Sequence, residues 1–265
     1  MLIYCGCPDP TGFTGGGYVL PLTPGHLEFC WQIKQTVRQH GPDIAILVVQ
    51  YTLAPQTVYP EQVKQSVEAV RYVMSTLGKR SSDIILGGDS AGGTLALDVV
   101  IHAQHPHPSI APLTPATPYR GLLLISPWVD FSINNESWKR NGDKDICTAA
   151  AFKTWSEAYL GSMPSDNYSE PCRATTEYFE RVQARKILVT AGQEEVLVDA
   201  VTALANQIKV RLLRLTFGYM AKTCLSNGRH PILILNWLWA MANAMSLLYP
   251  VSIWGIPRKG SRVWQ

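Results

Sequence analysis

Charge is scarce in this chain. Asp, Glu, Lys and Arg make up 16% of its 265 residues, and the net charge of +3 has no basic block behind it. A nucleic-acid partner needs such a block, so none is expected. Cysteines are few and scattered (Cys5, Cys7, Cys30, Cys147, Cys172, Cys224), and only Cys5-Gly6-Cys7 is close-set. Without a second pair at metal-ligand spacing, these read as unpaired thiols in a reducing compartment. His102, His105 and His107 lie close in sequence, but no carboxylate or cysteine stands at ligand spacing from them, so no metal is expected. Met1-Leu2-Ile3-Tyr4 has no basic n-region and too short an apolar run for a secretory leader, and a cytoplasmic location is expected. Internal repeats and low-complexity tracts are absent. What is plentiful is apolar: 46% of the residues are hydrophobic. That content and length suit one large-cored α/β domain spanning 1–265.

One stretch organises the rest: Asp83-Ile84-Ile85-Leu86-Gly87-Gly88-Asp89-Ser90-Ala91-Gly92-Gly93. A short apolar run ends in glycines, a serine sits between them, and a helix-compatible run from Thr94 to His102 follows. Strand, sharp turn and helix in that order is the setting in which G-x-S-x-G exposes a serine hydroxyl. Gly88 and Gly92 let strand and helix backbones approach, and the helix points its positive end at Ser90. A glycine-rich turn with an incidental serine shares the bare motif; the flanking strand and helix favour a nucleophile.

Around this stretch, apolar runs alternate with helical patterns. Strands are predicted over Leu2–Cys5, Ile44–Gln50, Asp83–Leu86, Gly121–Ser126 and Arg185–Gly192, and helices from near His26 to His40 and over Ala149–Leu160. Pro60 opens a further helix whose stripe is Val63, Val67, Val70, Met74 and Leu77, closed by Gly78. Gln193 to Asp199 opens another, with Val201, Leu204 and Ile208 apolar. Strands alternating with helices to about Val210 predict a mostly parallel sheet with helices on both faces. Ligands in such sheets bind beyond the carboxyl ends of the strands. Thr14–Gly17, Ser90 and Glu194–Asp199 all follow predicted strands, so they should converge on one sheet edge. Gly15-Gly16-Gly17 exposes consecutive N–H groups, as an oxyanion hole requires and as a plain surface loop also would.

Gly-Gly-Gly-Tyr18, Tyr51-x-Leu53-Ala54-Pro55, Gly88-Asp89-Ser90-Ala91-Gly92-Gly93, Ser126-Pro127-Trp128 and Glu195-x-Leu197-x-Asp199 occur here in the order seen in one family. From about Gly15 to Lys209 the chain resembles α/β-hydrolases of the hormone-sensitive-lipase-like group, the fold-3 carboxylesterases. Tyr18 to Trp31 and Asp166 to Pro171 resemble fungal members related to steryl acetyl hydrolases. The resemblance implies an α/β-hydrolase fold with Ser90 as nucleophile and the N–H groups of Gly16, Gly17 and Ala91 as oxyanion donors. It places the acid at Glu195, with Glu194 and Asp199 as rivals; a solvated carboxylate in a first helical turn is the other reading of Glu195. The chain order serine, acid, histidine then asks for a histidine downstream, and only His230 follows Glu195. The activity implied is hydrolysis of short-chain or acetyl esters of a small-molecule substrate through an acyl-enzyme, with no metal or organic cofactor. A catalytically impaired fold kept for binding or scaffolding is the alternative.

Three stretches depart from the family pattern. Thr14 stands where the family has histidine, 6–13 looks inserted before the glycines, and the family's N-terminal cap region has no counterpart. Beyond about Lys209 the resemblance ends: 1–14 and 210–265 are atypical. Pro231 to Pro257 holds no charged residue, and Arg258, Lys259 and Arg262 follow it. Two readings are open there: a terminal helix packed on the sheet, or a membrane-associated helix over 231–249, which would place the chain at the endoplasmic reticulum.

Overall fold

Short β-branched and leucine-rich runs bounded by turns suit buried parallel strands, which take apolar side chains on both faces. The computed structural model describes residues 2–5, 16–22, 24–40, 43–210 and 212–215. Among these, the strands are β1 (Leu2–Cys5), β2 (Ile46–Val49), β3 (Ile85–Asp89), β4 (Gly121–Ile125), β5 (Ile187–Gly192) and β6 (Leu212–Leu215). They form one sheet in the order β2-β1-β3-β4-β5-β6, and every pairing is parallel. The helices are α1 (Pro24–His40), α2 (Glu61–Ser75), α3 (Ala91–His102), α4 (Glu136–Asn141), α5 (Ala149–Leu160) and α6 (Val198–Gln207). This is the parallel sheet with flanking helices that the alternation predicts, and it agrees with the fold that the family resemblance implies.

Side chains alternate across the sheet with the two-residue period of a strand. Leu86, Leu122, Leu124 and Val189 join the core that holds α2, α3 and α6. Ile85, Leu123 and Ile125 face the opposite way, onto Phe29, Ile33 and Val37 of α1. Every residue of α3 is buried, the polar stripe of Thr94, Asp98 and His102 included. Its one histidine is accommodated by hydrogen bonds: His102 Nε2 lies 3.0 Å from the Ala111 carbonyl, and Nδ1 accepts from the His107 N–H at 3.1 Å. His107 Nδ1 accepts from the Ser109 N–H, and the His105 ring stacks on Tyr178 at 4.2 Å. These imidazoles tie a proline-rich loop to the core.

Four details differ from the sequence expectation. α2 stops at Ser75, so Leu77 leaves the apolar stripe and is 44% exposed, while Val73 is fully buried. α6 begins at Val198, and residues 193–197 form a turn instead of its first helical turn. α4 and β6 were not anticipated; α4 is only six residues long, and β6, which carries Arg214, lies past Val210, where the predicted alternation stops. No helix among the described residues is long and apolar enough to cross a membrane. Thr14, Gly15, the stretch 6–13, His230 and 231–257 lie outside the described residues.

Candidate active site

The corner at Ser90 is built by close backbone approach. β3 ends at Asp89, α3 starts at Ala91, and Ser90 between them holds φ 49° and ψ −123°. A non-glycine residue in that region is strained and persists only where its surroundings dictate it. Here they do. The Ser90 N–H donates to the Ile125 carbonyl at 2.9 Å, while its carbonyl accepts from Gly93 N–H at 3.0 Å and Trp128 N–H at 3.1 Å. A side chain at Gly88 would overlap the Gly92 carbonyl, so the turn admits only glycine there. Ala91 is the first helical residue, and a helix's first N–H groups have no partner within the helix.

Two strands along the sheet, β5 ends at Gly192 and the chain turns through Glu195. Gly192 makes room for that side chain: a methyl on it would lie 2.8 Å from Glu195 Oε1. The carboxyl accepts hydrogen bonds from the Ser126 hydroxyl and the Gly192 N–H, yet burial dominates and pushes it up to about 7. Asp145 nearby adds to the rise. Glu195 Oε2 is sealed from solvent and has no hydrogen-bond partner among the described residues. Such an acceptor is costly unless something donates to it. Ser126, just after β4, holds a positive φ of 43° and is tied to β5 through its N–H to the Thr190 carbonyl at 2.7 Å.

The rival acids are engaged elsewhere. Glu194 pairs with Lys144 at 3.4 Å. Asp199 accepts from the Ser137 N–H at 2.7 Å and from Arg140 at 2.9 Å. Glu195 is therefore not a solvated carboxylate on a helix: it sits in a turn, partly exposed as a residue but with its Oε2 atom sealed from solvent. The segment that covers the strand ends fixes this turn: Asn141 Nδ2 donates to the Glu195 carbonyl at 2.9 Å, Ser137 Oγ to the Val196 carbonyl at 2.5 Å, and Val196 N–H to Asp145 at 2.8 Å. These contacts join residues far apart in sequence, and no local pattern announces Ser137, Asn141 or Asp145.

The glycine turn reaches the same region. Gly17 and Tyr18 both hold positive φ, 50° and 65°. The Tyr18 carbonyl accepts from Ala54 N–H at 2.9 Å, which anchors the turn to the Tyr51–Pro55 stretch. The Tyr18 ring lies 5.9 Å from that of Trp128, the residue whose N–H binds Ser90. Tyr18, Tyr51, Tyr59 and Trp128 are buried at 3% exposure or less, which places them in the core, whereas Trp31 is 56% exposed. The structure thus brings the Gly16–Gly17 turn, Ser90 and Glu195 to the carboxyl end of the sheet.

Comparison with known proteins gives a consistent picture. A family model described as the alpha/beta hydrolase fold matches residues 12–217. Steryl acetyl hydrolase 1 of Saccharomyces cerevisiae is 28% identical over 200 residues, which covers 70% of this chain and 44% of that protein. Esterase LipI of Mycobacterium tuberculosis is 30% identical over 176 residues, covering 62% and 50%. The chain spans about half the length of these curated relatives. Among solved structures, a fungal esterase of Rhizomucor miehei superposes with a TM-score of 0.70 at 20% identity, over 94% of this chain and 73% of that one. A hormone-sensitive lipase from a metagenome library gives 0.69 at 21%, over 93% and 77%.

Proposed function

The chain belongs to the α/β-hydrolase fold family, in its hormone-sensitive-lipase-like group, and on that premise we propose that it hydrolyses carboxylic esters of short acyl chains, acetyl esters above all, through a Ser90 acyl-enzyme. The observation that carries this reading is a pairing. Ser90 is strained on its corner, and two strands away Glu195 presents a sealed carboxylate oxygen with no donor among the described residues. Two strand spacings amount to about 10 Å, a gap that leaves room for one imidazole between the two side chains. His230 is proposed to supply it.

In this mechanism His230 takes the Ser90 proton as Oγ attacks the ester carbonyl, since the hydroxyl alone is a weak nucleophile. Glu195 fixes the imidazole tautomer and stabilises the imidazolium that forms. The N–H groups of Gly16, Gly17 and Ala91 hold the oxyanion; losing one such donor typically raises the barrier by about 3 kcal/mol. Collapse expels the alcohol, which takes the proton from His230. Water, deprotonated by the same imidazole, then attacks the acyl-enzyme; the Oγ–acyl bond breaks, Ser90 Oγ takes the proton back from His230, and the acid is released. The acetyl preference is supported by the names of relatives: steryl acetyl hydrolase, and an ethyl acetate hydrolase from Pseudomonas putida that is 26% identical over 155 residues.

A fluorophosphonate probe tests the reading, because it labels an activated serine and not merely an exposed one. Labelling at Ser90 and turnover of p-nitrophenyl acetate are expected, and Ser90→Ala should remove both. Turnover that survives in the variant rejects Ser90. An unlabelled, inactive parent chain supports a binding or scaffold role instead.

A further inference from the structure

Helix α5 lies in the covering segment, and nothing in the serine mechanism calls on it. Yet its one face grips the glycine turn. Trp155 and Tyr159 stand four residues apart and so share a helix face. A methyl placed on Gly17 would lie 2.5 Å from Trp155 Cε3 and 2.7 Å from Cδ2, so the indole is already seated on the Gly17 backbone. The next residue is held by the next turn of the helix: the rings of Tyr18 and Tyr159 stack with centroids 3.6 Å apart and planes 7° from parallel. Both tyrosines are fully buried, and Trp155 is partly so, with Phe152 at 5.7 Å and Trp128 at 6.5 Å supporting its ring. Helix α5 is itself moored where it makes these contacts, because the Tyr159 carbonyl accepts from the Tyr59 N–H at 2.7 Å.

We propose that Trp155 and Tyr159 are positioning residues that set the Gly16–Gly17 N–H groups at the distance an oxyanion needs. The physical ground is the backbone they touch. Gly17 and Tyr18 are both left-handed, and a tyrosine adopts that conformation only under outside constraint. The carbonyl anchor from Ala54 fixes one side of Tyr18; the α5 face fixes the other. Losing the indole opens a space beside Gly17 into which the turn relaxes. A shift of about 1 Å in such donors lowers rate by on the order of 100-fold while leaving ground-state binding nearly intact.

This inference rests on the Ser90 reading above, and the experiment separates the two. Trp155→Ala and Trp155→Phe are compared with the parent for kcat and KM on p-nitrophenyl acetate and for inhibition by butylboronic acid, whose tetrahedral serine adduct needs the oxyanion donors. Trp155→Ala is expected to lower kcat by roughly 10- to 100-fold with KM changed less than about threefold, and to weaken boronate inhibition by a matching factor. Trp155→Phe, which keeps an aromatic ring on Gly17, is expected to recover most of this while staying severalfold below the parent. A folded Trp155→Ala with unchanged kcat and unchanged boronate inhibition overturns the proposal, as does a loss confined to KM. Should Trp155→Ala fail to fold, Trp155→Phe decides: parent-like kcat and inhibition overturn it. If the parent is not labelled at Ser90 by the fluorophosphonate probe, the functional reading itself fails and takes this inference with it.

Discussion

Replacing Glu195 by Gln removes a proton-binding group and leaves the shape of the turn, so it isolates the electrostatics of the buried acid. Burial raises that carboxyl from an ordinary 4.5 to about 7. Below pH 4.5 the acid is protonated in the folded and unfolded chain alike and contributes no pH dependence. As pH rises from there, the unfolded chain ionises first, and the fold loses stability until about pH 7. Above that the loss is constant. At about 1.4 kcal/mol for each pH unit, the full cost is about 3 kcal/mol. The Gln variant does not titrate and is free of it. In a His230→Ala background, Glu195→Gln should therefore gain up to about 3 kcal/mol over its Glu195 parent between about pH 4.5 and pH 8. With His230 present, an imidazole donating to Oε2 favours the carboxylate, and the pH-dependent difference should shrink. Urea unfolding of the four proteins at about pH 5, pH 6 and pH 8 gives the cycle. A difference that does not vary with pH in the His230→Ala background refutes the desolvation argument. An equal variation in both backgrounds refutes His230 as the partner of Glu195.

Two further outcomes follow from packing and thiol burial. Gly88→Ala drives a methyl into the Gly92 carbonyl and should lower stability by about 2 kcal/mol or more; a urea midpoint equal to the parent's would show that the corner has slack. Cys30, Cys147 and Cys172 are free thiols whose ionisation is pushed up to about 12, chiefly by burial. At pH 8 they stay protonated, with Cys30 buried and Cys147 and Cys172 partly so, so iodoacetamide followed by peptide mapping should find them largely unmodified in native protein and modified after unfolding. Prompt native modification of any of the three would contradict the packing around it.

The parts of this molecule legible in its sequence are those whose cause is local. The Ser90 corner announces itself because strand, glycines and helix are contiguous, and α5 was expected over Ala149–Leu160 and has those bounds, with Thr148 Oγ1 accepting from the Ala151 N–H at its start. The parallel sheet followed from alternating patterns, since each buried strand carries its own apolar run. Glu195 reads from the sequence as part of a first helical turn, because the sequence does not show that the Asn141 and Ser137 side chains hold residues 193–197 in a different shape. Leu77 lay on the stripe by arithmetic, yet the helix had already ended. Trp155 gave no signal at all. Its partner, Gly17, is a glycine with no side chain to pattern, far away along the chain.

The bonds from Ser137, Asn141 and Asp145 into residues 193–196 bear on how a substrate enters. A roof that swings open on a hinge must let go of what it covers, and these residues are bolted to the very turn that carries the buried acid. On the proposed mechanism, lifting them would carry Glu195 out of register with Ser90. The 135–147 span then stands as a fixed wall beside the site and not as a door over it.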